Sequence, residues 1–219
     1  MTKIIGVVQA KGGVGRSTIA TNLAAIASLR GAVCLIDCDL PQATSSSWFS
    51  QRQQEMASPH LSLQRCDTHL QLITQIKALM PHTATIIIDG PPRISEMTRA
   101  ILILSDLCLL PLGASAAEVW ATSDILTVIE EAREYKKKID ARIVWNRFRP
   151  QTRSAQEMHD AVQREFNLPE LQTRLGYRVA YSEALARGLS VDEWLDRTAH
   201  GEIVALAAEV AAILKEKCR

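Results

Sequence analysis

The sequence predicts an α/β fold, a mostly parallel central sheet flanked by helices on both faces. Two observations carry this. Short runs rich in β-branched residues recur along the 219-residue chain; they are continuously apolar rather than alternating, as in strands covered on both sides. Between them, apolar residues fall at helical spacing, and strand–helix alternation builds a parallel sheet wrapped by helices. Apolar residues make up 47% of the chain and charged ones 22%, the balance of an ordinary globular protein. A chain of this length can bury its own core, so one domain over 1–219 is expected.

In chain order, the predicted strands are 3–9, 32–37, 84–90, 106–112 and 141–147. The predicted helices are 17–29, 68–80, 94–104, 117–137 and 153–166, with a tail helix over 202–217 that ends in lysines. Cations there complement the helix dipole, and the alanine- and valine-rich apolar stripe suits a docked closing helix. The segments 43–48 and 56–60 read as loops, and the lysine-rich run REYKKK at 133–138 as a solvated helix end. The longest apolar stretch, 100–112, contains Asp106 and is too short to span a bilayer.

Net charge is +1, so attraction to nucleic acid would need a local patch. Five cysteines, at 34, 38, 66, 108 and 218, show no metal-ligand spacing, and several lie in apolar runs. Reduced cysteine and a cytoplasmic location are expected. The histidines are scattered and expected at the surface, and the tryptophans are expected to pack.

The stretch VVQAKGGVGRST (7–18) places three glycines between a strand and a helix. Such a turn aims backbone N–H groups inward while the helix N-terminus adds partial positive charge, which together make an anion site. Lys11, Gly12, Gly13, Val14, Gly15, Arg16, Ser17 and Thr18 are therefore the expected phosphate-binding segment, with the Ser17 hydroxyl suited to Mg²⁺. Arg16 stands where such a loop ordinarily has lysine. It keeps the charge, and its planar fork can grip two phosphate oxygens. Two further carboxylates, Asp37 and Asp39, follow the second strand, and Asp89 ends the third.

KGGVGRST resembles the deviant Walker A motif of the ParA/MinD family of P-loop ATPases, and the short chain resembles the plasmid-type ParA proteins. The resemblance implies that Lys11 reaches a partner's phosphates across an ATP-sandwiched homodimer. DCDLPQ resembles the family's D-x-D-P-Q motif with Leu40 inserted before Pro41, implying that Asp37 supports Mg²⁺ and that Asp39 positions the attacking water. DGPP at 89–92 resembles its Walker B and switch region, with Asp89 at the metal. Asn146 and Arg147 match the position that reads the adenine edge, and 181–194 resembles the segment that closes over the base.

Taken together, the resemblance implies slow ATP hydrolysis with ATP and Mg²⁺ as cofactors. The leading expectation is DNA segregation: the dimer binds DNA non-specifically through phosphates, and a small centromere-binding adaptor stimulates hydrolysis. That would place the protein on the nucleoid, with no membrane partner. Arg174, Arg178 and Arg187 are the candidate DNA contacts. A MinD-like or other cargo- or membrane-positioning ATPase is the alternative, ahead of a dethiobiotin synthetase-like ligase.

Overall fold

The computed structural model describes residues 1–40, 42–56 and 58–216. Its strands are β1 (Lys3–Val7), β2 (Val33–Asp37), β3 (Leu61–Arg65), β4 (Thr85–Asp89), β5 (Leu107–Leu112) and β6 (Ala141–Trp145). The helices are α1 (Arg16–Ser28), α2 (Thr44–Glu55), α3 (His69–Leu79), α4 (Glu96–Leu104), α5 (Ala116–Arg133), α6 (Arg153–Glu165), α7 (Val179–Ala186) and α8 (Arg197–Glu216). The six strands form one parallel sheet in the order β3-β2-β4-β1-β5-β6.

Both faces are covered, which is why the strands read as unbroken apolar runs. Ile5, Val7, Val33 and Leu35 pack with α1, α7 and α8, whereas Ile4, Val8, Cys34 and Ile36 pack with α3, α4 and α5. The tail helix docks as expected, burying Ile203, Leu206, Val210, Ile213 and Leu214. Among the described residues, no helix is long and apolar enough to cross a membrane.

Three elements were not legible. Segment 43–48 was expected as loop, yet residues from Thr44 onward form the first turn of α2. Serines disfavour helix interiors because their hydroxyls compete for backbone groups; here Ser45 and Ser46 donate to carboxylates instead. Strand β3 is a half-exposed edge and lacks the apolar run of its neighbours. Helix α7 is only eight residues long. The lysine run lies beyond α5, and Lys136 Nζ donates to Ser105 O at 2.6 Å.

Two expectations about side chains also change. His159 is 8% exposed, not a surface residue, and Trp120 is 71% exposed instead of packed. Among the described residues, Cys34, Cys38, Cys66 and Cys108 are buried and outside any disulfide. Pro41 and Cys218 lie outside the described residues.

Candidate nucleotide site

The register of the central strands assembles the site. Asp37 of β2 pairs with Asp89 of β4, and Asp89 pairs with Val7 of β1. Neighbouring strands lie about 4.8 Å apart. The loop that leaves β1 therefore starts beside both acids, at the carboxyl end of the sheet where open α/β folds bind ligands.

The glycine-rich loop then turns into α1 through left-handed backbone, with φ 76° at Gly13 and 93° at Gly15. A Cβ at Gly15 would stand 2.1 Å from Asn146 Nδ2, so glycine is needed there for space as well as for φ. Gly15 caps α1 without a side-chain hydrogen bond, and no acidic residue occupies the first turn. The N–H groups of that turn are thus left to an anion. They border a cleft of about 480 Å³ lined by Gly12, Gly13, Gly15, Arg16, Ser17, Thr18, Asp39 and Arg147, among others. Val14 is buried beneath it, and its carbonyl accepts from Asn146 Nδ2 at 2.7 Å.

The acids divide the work. Asp37 accepts from Asp39 N at 3.0 Å, Ser46 N at 2.8 Å and Ser46 Oγ at 2.7 Å. It thereby fixes the loop bearing Asp39 to the N-terminus of α2. Asp89 accepts from Ser45 Oγ at 2.7 Å through Oδ2, whereas its buried Oδ1 has no hydrogen-bond partner among the described residues. Burial pushes the Asp89 carboxyl up to about 7, against the pull of the Ser17 and Ser45 hydroxyls. Burial also raises Asp39, opposed chiefly by Arg16.

An orphaned carboxylate oxygen beside a serine hydroxyl fits a divalent cation. No group of three or more His, Cys, Asp or Glu forms a ready cage among the described residues. That suits Mg²⁺, which keeps several waters and leans on substrate phosphates.

The two basic residues of the loop point different ways. Lys11 is 38% exposed, with Nζ 4.0 Å from Glu118 Oε1 at the start of α5. Arg16 is 6% exposed: its Nε donates to Gly90 O at 2.9 Å, and its Nη1 to Gln9 O at 3.1 Å and Lys11 O at 2.5 Å. Its Nη2 lies 3.7 Å from Asp39 Oδ2. In this structure Arg16 grips backbone carbonyls, where the sequence suggested a fork on phosphate.

Beyond Thr18 a second pocket of about 280 Å³ continues the cleft, lined by Asn146, Arg147, Gly176, Tyr177, Arg178 and Tyr181, among others. Asn146 Oδ1 accepts from Arg147 N at 3.0 Å and Nδ2 donates to Val14 O. One amide hydrogen remains for a base edge. Arg147 has a left-handed backbone, φ 53°, and borders both pockets.

Glu202 of α8 organises the second pocket, and its sequence context gave no sign of it. It accepts from Gly176 N, Arg178 and Tyr181 Oη. Arg52 and Glu193 were equally unmarked. Arg52, 2% exposed, makes a two-pronged ion pair with Glu193 and donates to Gly188 O, tying α2 to the segment after α7. Asn22 of α1 holds that segment too, accepting from Ser190 Oγ and Val191 N.

The three candidate DNA arginines are each engaged locally. Arg174 Nη2 lies 2.8 Å from His159 Nε2, with its guanidinium over Phe148. Arg178 is paired with Glu202 at 2.7 Å and borders the second pocket, and Arg187 lies over the Trp194 ring.

A model described as the CobQ/CobB/MinD/ParA nucleotide binding domain matches residues 5–191. The chain belongs to this family. One relative, the "Maintenance of carboxysome distribution protein A" of Halothiobacillus neapolitanus, is 30% identical over 188 residues, covering 85% of each chain. Apo McdA of Cyanothece superposes with a TM-score of 0.80 at 16% identity, over 96% of this chain and 100% of that one. The septum site-determining protein MinD of Pyrococcus horikoshii, complexed with Mg-ADP, gives 0.75 at 18%, over 96% of each. At these identities the two structures bear on the fold alone.

Proposed function

We propose that this chain is an ATP-hydrolysing positioning ATPase whose ATP-bound homodimer uses DNA as its track. The observation that carries the reading is the convergence on one cleft of the open first turn of α1, Ser17 and Asp39, with the buried carboxylate of Asp89 coupled to the Ser17 hydroxyl behind them. ATP with Mg²⁺ supplies what this set lacks, an anion for the N–H groups and a cation for the acids. When bound, the metal would neutralise charge on the phosphates, with Ser17 and Asp89 as its protein side and Asp37 behind them. Asp39, buried and two residues beyond β2, would orient an attacking water. Lys11, half-exposed and next in sequence to the cleft-lining Gly12, would leave Glu118 for a partner's nucleotide.

The name of the Halothiobacillus relative speaks for distribution of a protein compartment as the cargo. Partition of a plasmid through a small centromere-bound adaptor would use the same cycle. DNA contact through phosphates alone would ignore sequence and weaken steeply with salt, with Arg174, Arg178 and Arg187 as candidate contacts.

The test is retention on random duplex DNA with ATP or ADP, across a salt series, for the wild type and Lys11→Ala. Retention of the wild type is expected with ATP only, falling steeply with salt, together with a monomer-to-dimer shift in light scattering that Lys11→Ala lacks. Equal dimerisation of Lys11→Ala, or sequence-selective retention at high salt, contradicts the proposal.

A further inference from the structure

Arg16 occupies the place from which a phosphate-binding loop presents its cation, but its guanidinium faces inward. Three of its five N–H groups go to the carbonyls of Gln9, two residues beyond β1, Lys11 in the loop and Gly90 after β4. A fourth edge faces Asp39. Only a planar fork with divergent donors reaches acceptors in so many directions, and the three hydrogens of an ammonium radiate from a single atom. Turning Arg16 outward onto phosphate would orphan these acceptors.

Gly90 itself has little freedom to follow. Its N–H donates to Val7 O at 3.0 Å, and a Cβ there would meet the same oxygen at 2.9 Å. The carbonyl that Arg16 grips is thus fixed to the central strand.

The exposed cation of the cleft is a different residue. Arg147 stands where the two pockets meet. Its left-handed backbone is pinned by Asn146, which is itself tied to the loop at Val14. Its guanidinium makes no ion pair or hydrogen bond among the described residues. A non-glycine residue held at positive φ beside a ligand cleft is the kind of strain that sites retain.

We propose that the two roles of the loop cation are split in this chain. Arg16 is a positioning residue that holds Asp39 and Gly90 in place, and Arg147 is the cation that meets the phosphates. This rests on the ATP reading above.

The experiment compares wild type, Arg16→Lys and Arg147→Met in three measurements: thermal melting without nucleotide, calorimetric titration with a non-hydrolysable ATP analogue, and steady-state hydrolysis. Arg147→Met should melt like wild type, bind the analogue about tenfold more weakly and raise KM in step, the worth of one charge-assisted contact. Arg16→Lys should melt several degrees lower and lose about tenfold in kcat with KM within about threefold, the pattern of a group that acts on the bound state rather than on binding.

Arg16→Lys with a raised KM but wild-type kcat and melting would make Arg16 the phosphate ligand and overturn the proposal. So would Arg16→Lys indistinguishable from wild type, or Arg147→Met with wild-type affinity. If wild type binds no nucleotide, the ATP reading is what fails. The melting comparison then still judges Arg16, since unchanged melting of Arg16→Lys refutes the staple on its own.

Discussion

Removing the carboxylate of Glu193 should destabilise the protein far more than a surface charge would. Arg52 is 2% exposed, and Glu193 Oε1 and Oε2 accept from its two terminal nitrogens, both at 2.8 Å. Oε2 also accepts from Ser190 N. Glu193→Ala therefore leaves a buried guanidinium with Gly188 O, Ser58 Oγ and the Trp48 ring as its partners among the described residues, and orphans a backbone N–H. Breaking a buried pair costs about 3–5 kcal/mol, and because the Glu193 side chain is 24% exposed the lower end, about 3 kcal/mol, is expected. In urea that is a midpoint lower by about 1 M at unchanged slope, and in a thermal scan a fall of roughly 9 °C.

The same pair fixes a pH signature. Burial pushes the Glu193 carboxyl up, but hydrogen bonds from Arg52 and Ser190 outweigh it and hold the carboxyl below its ordinary value. A depressed carboxyl contributes stability that is present above the free glutamate value and lost as pH falls through the folded one. The gap between wild type and Glu193→Gln should stay level near neutrality and close below about pH 4. A cost for Glu193→Ala under about 1 kcal/mol, the range of exposed pairs, would show that the clasp is a surface contact. A gap that stays unchanged into acid would deny the carboxylate its part.

Two further outcomes are expected. Asp89 is raised to about 7 by burial, so its contribution to stability is full below the free aspartate value and disappears as pH rises through about 7; without Mg²⁺, wild type should lose a few kcal/mol between pH 5 and 8 while Asp89→Asn stays flat, as read by urea midpoints. Glu202→Ala should loosen Gly176, Arg178 and Tyr181 together, weakening ATP binding by about tenfold in calorimetry and narrowing the preference for ATP over GTP, with hydrolysis at saturation little changed.

The glycine-rich loop and the acids beside it could be read in the sequence because each depends on local chain: glycines next to a strand end, carboxylates closing apolar runs. The side chains that hold them could not. Ser45 and Ser46 look like loop residues until α2 brings their hydroxyls to Asp89 and Asp37. Arg52 sits in a polar stretch of α2 that reads as a solvated face, and its partner lies 141 residues away. For Arg16 the sequence supplied the charge but not its direction, because carbonyls brought together from the turns after β1 and β4 compete with any ligand for the same donors.

The strand order has a consequence for how this protein can vary. The chain leaves β1 at the centre of the sheet, with β4, β2 and β3 to one side and β5 and β6 to the other. Asp37, Asp39, Asp89 and the serines of α2 belong to the first side, and Glu118, Asn146 and Arg147 to the second. On the proposed function, the acids and the side chains that would grip the nucleotide thus come from opposite sides of β1, roughly 33–95 and 107–150, with the glycine-rich loop between them and residues of 176–185 completing the second pocket. Exchanging the second stretch with that of a relative should change which nucleotide is held and how tightly, leaving the hydrolytic apparatus intact. Exchanging the first should reset the clock of the cycle without altering what it runs on.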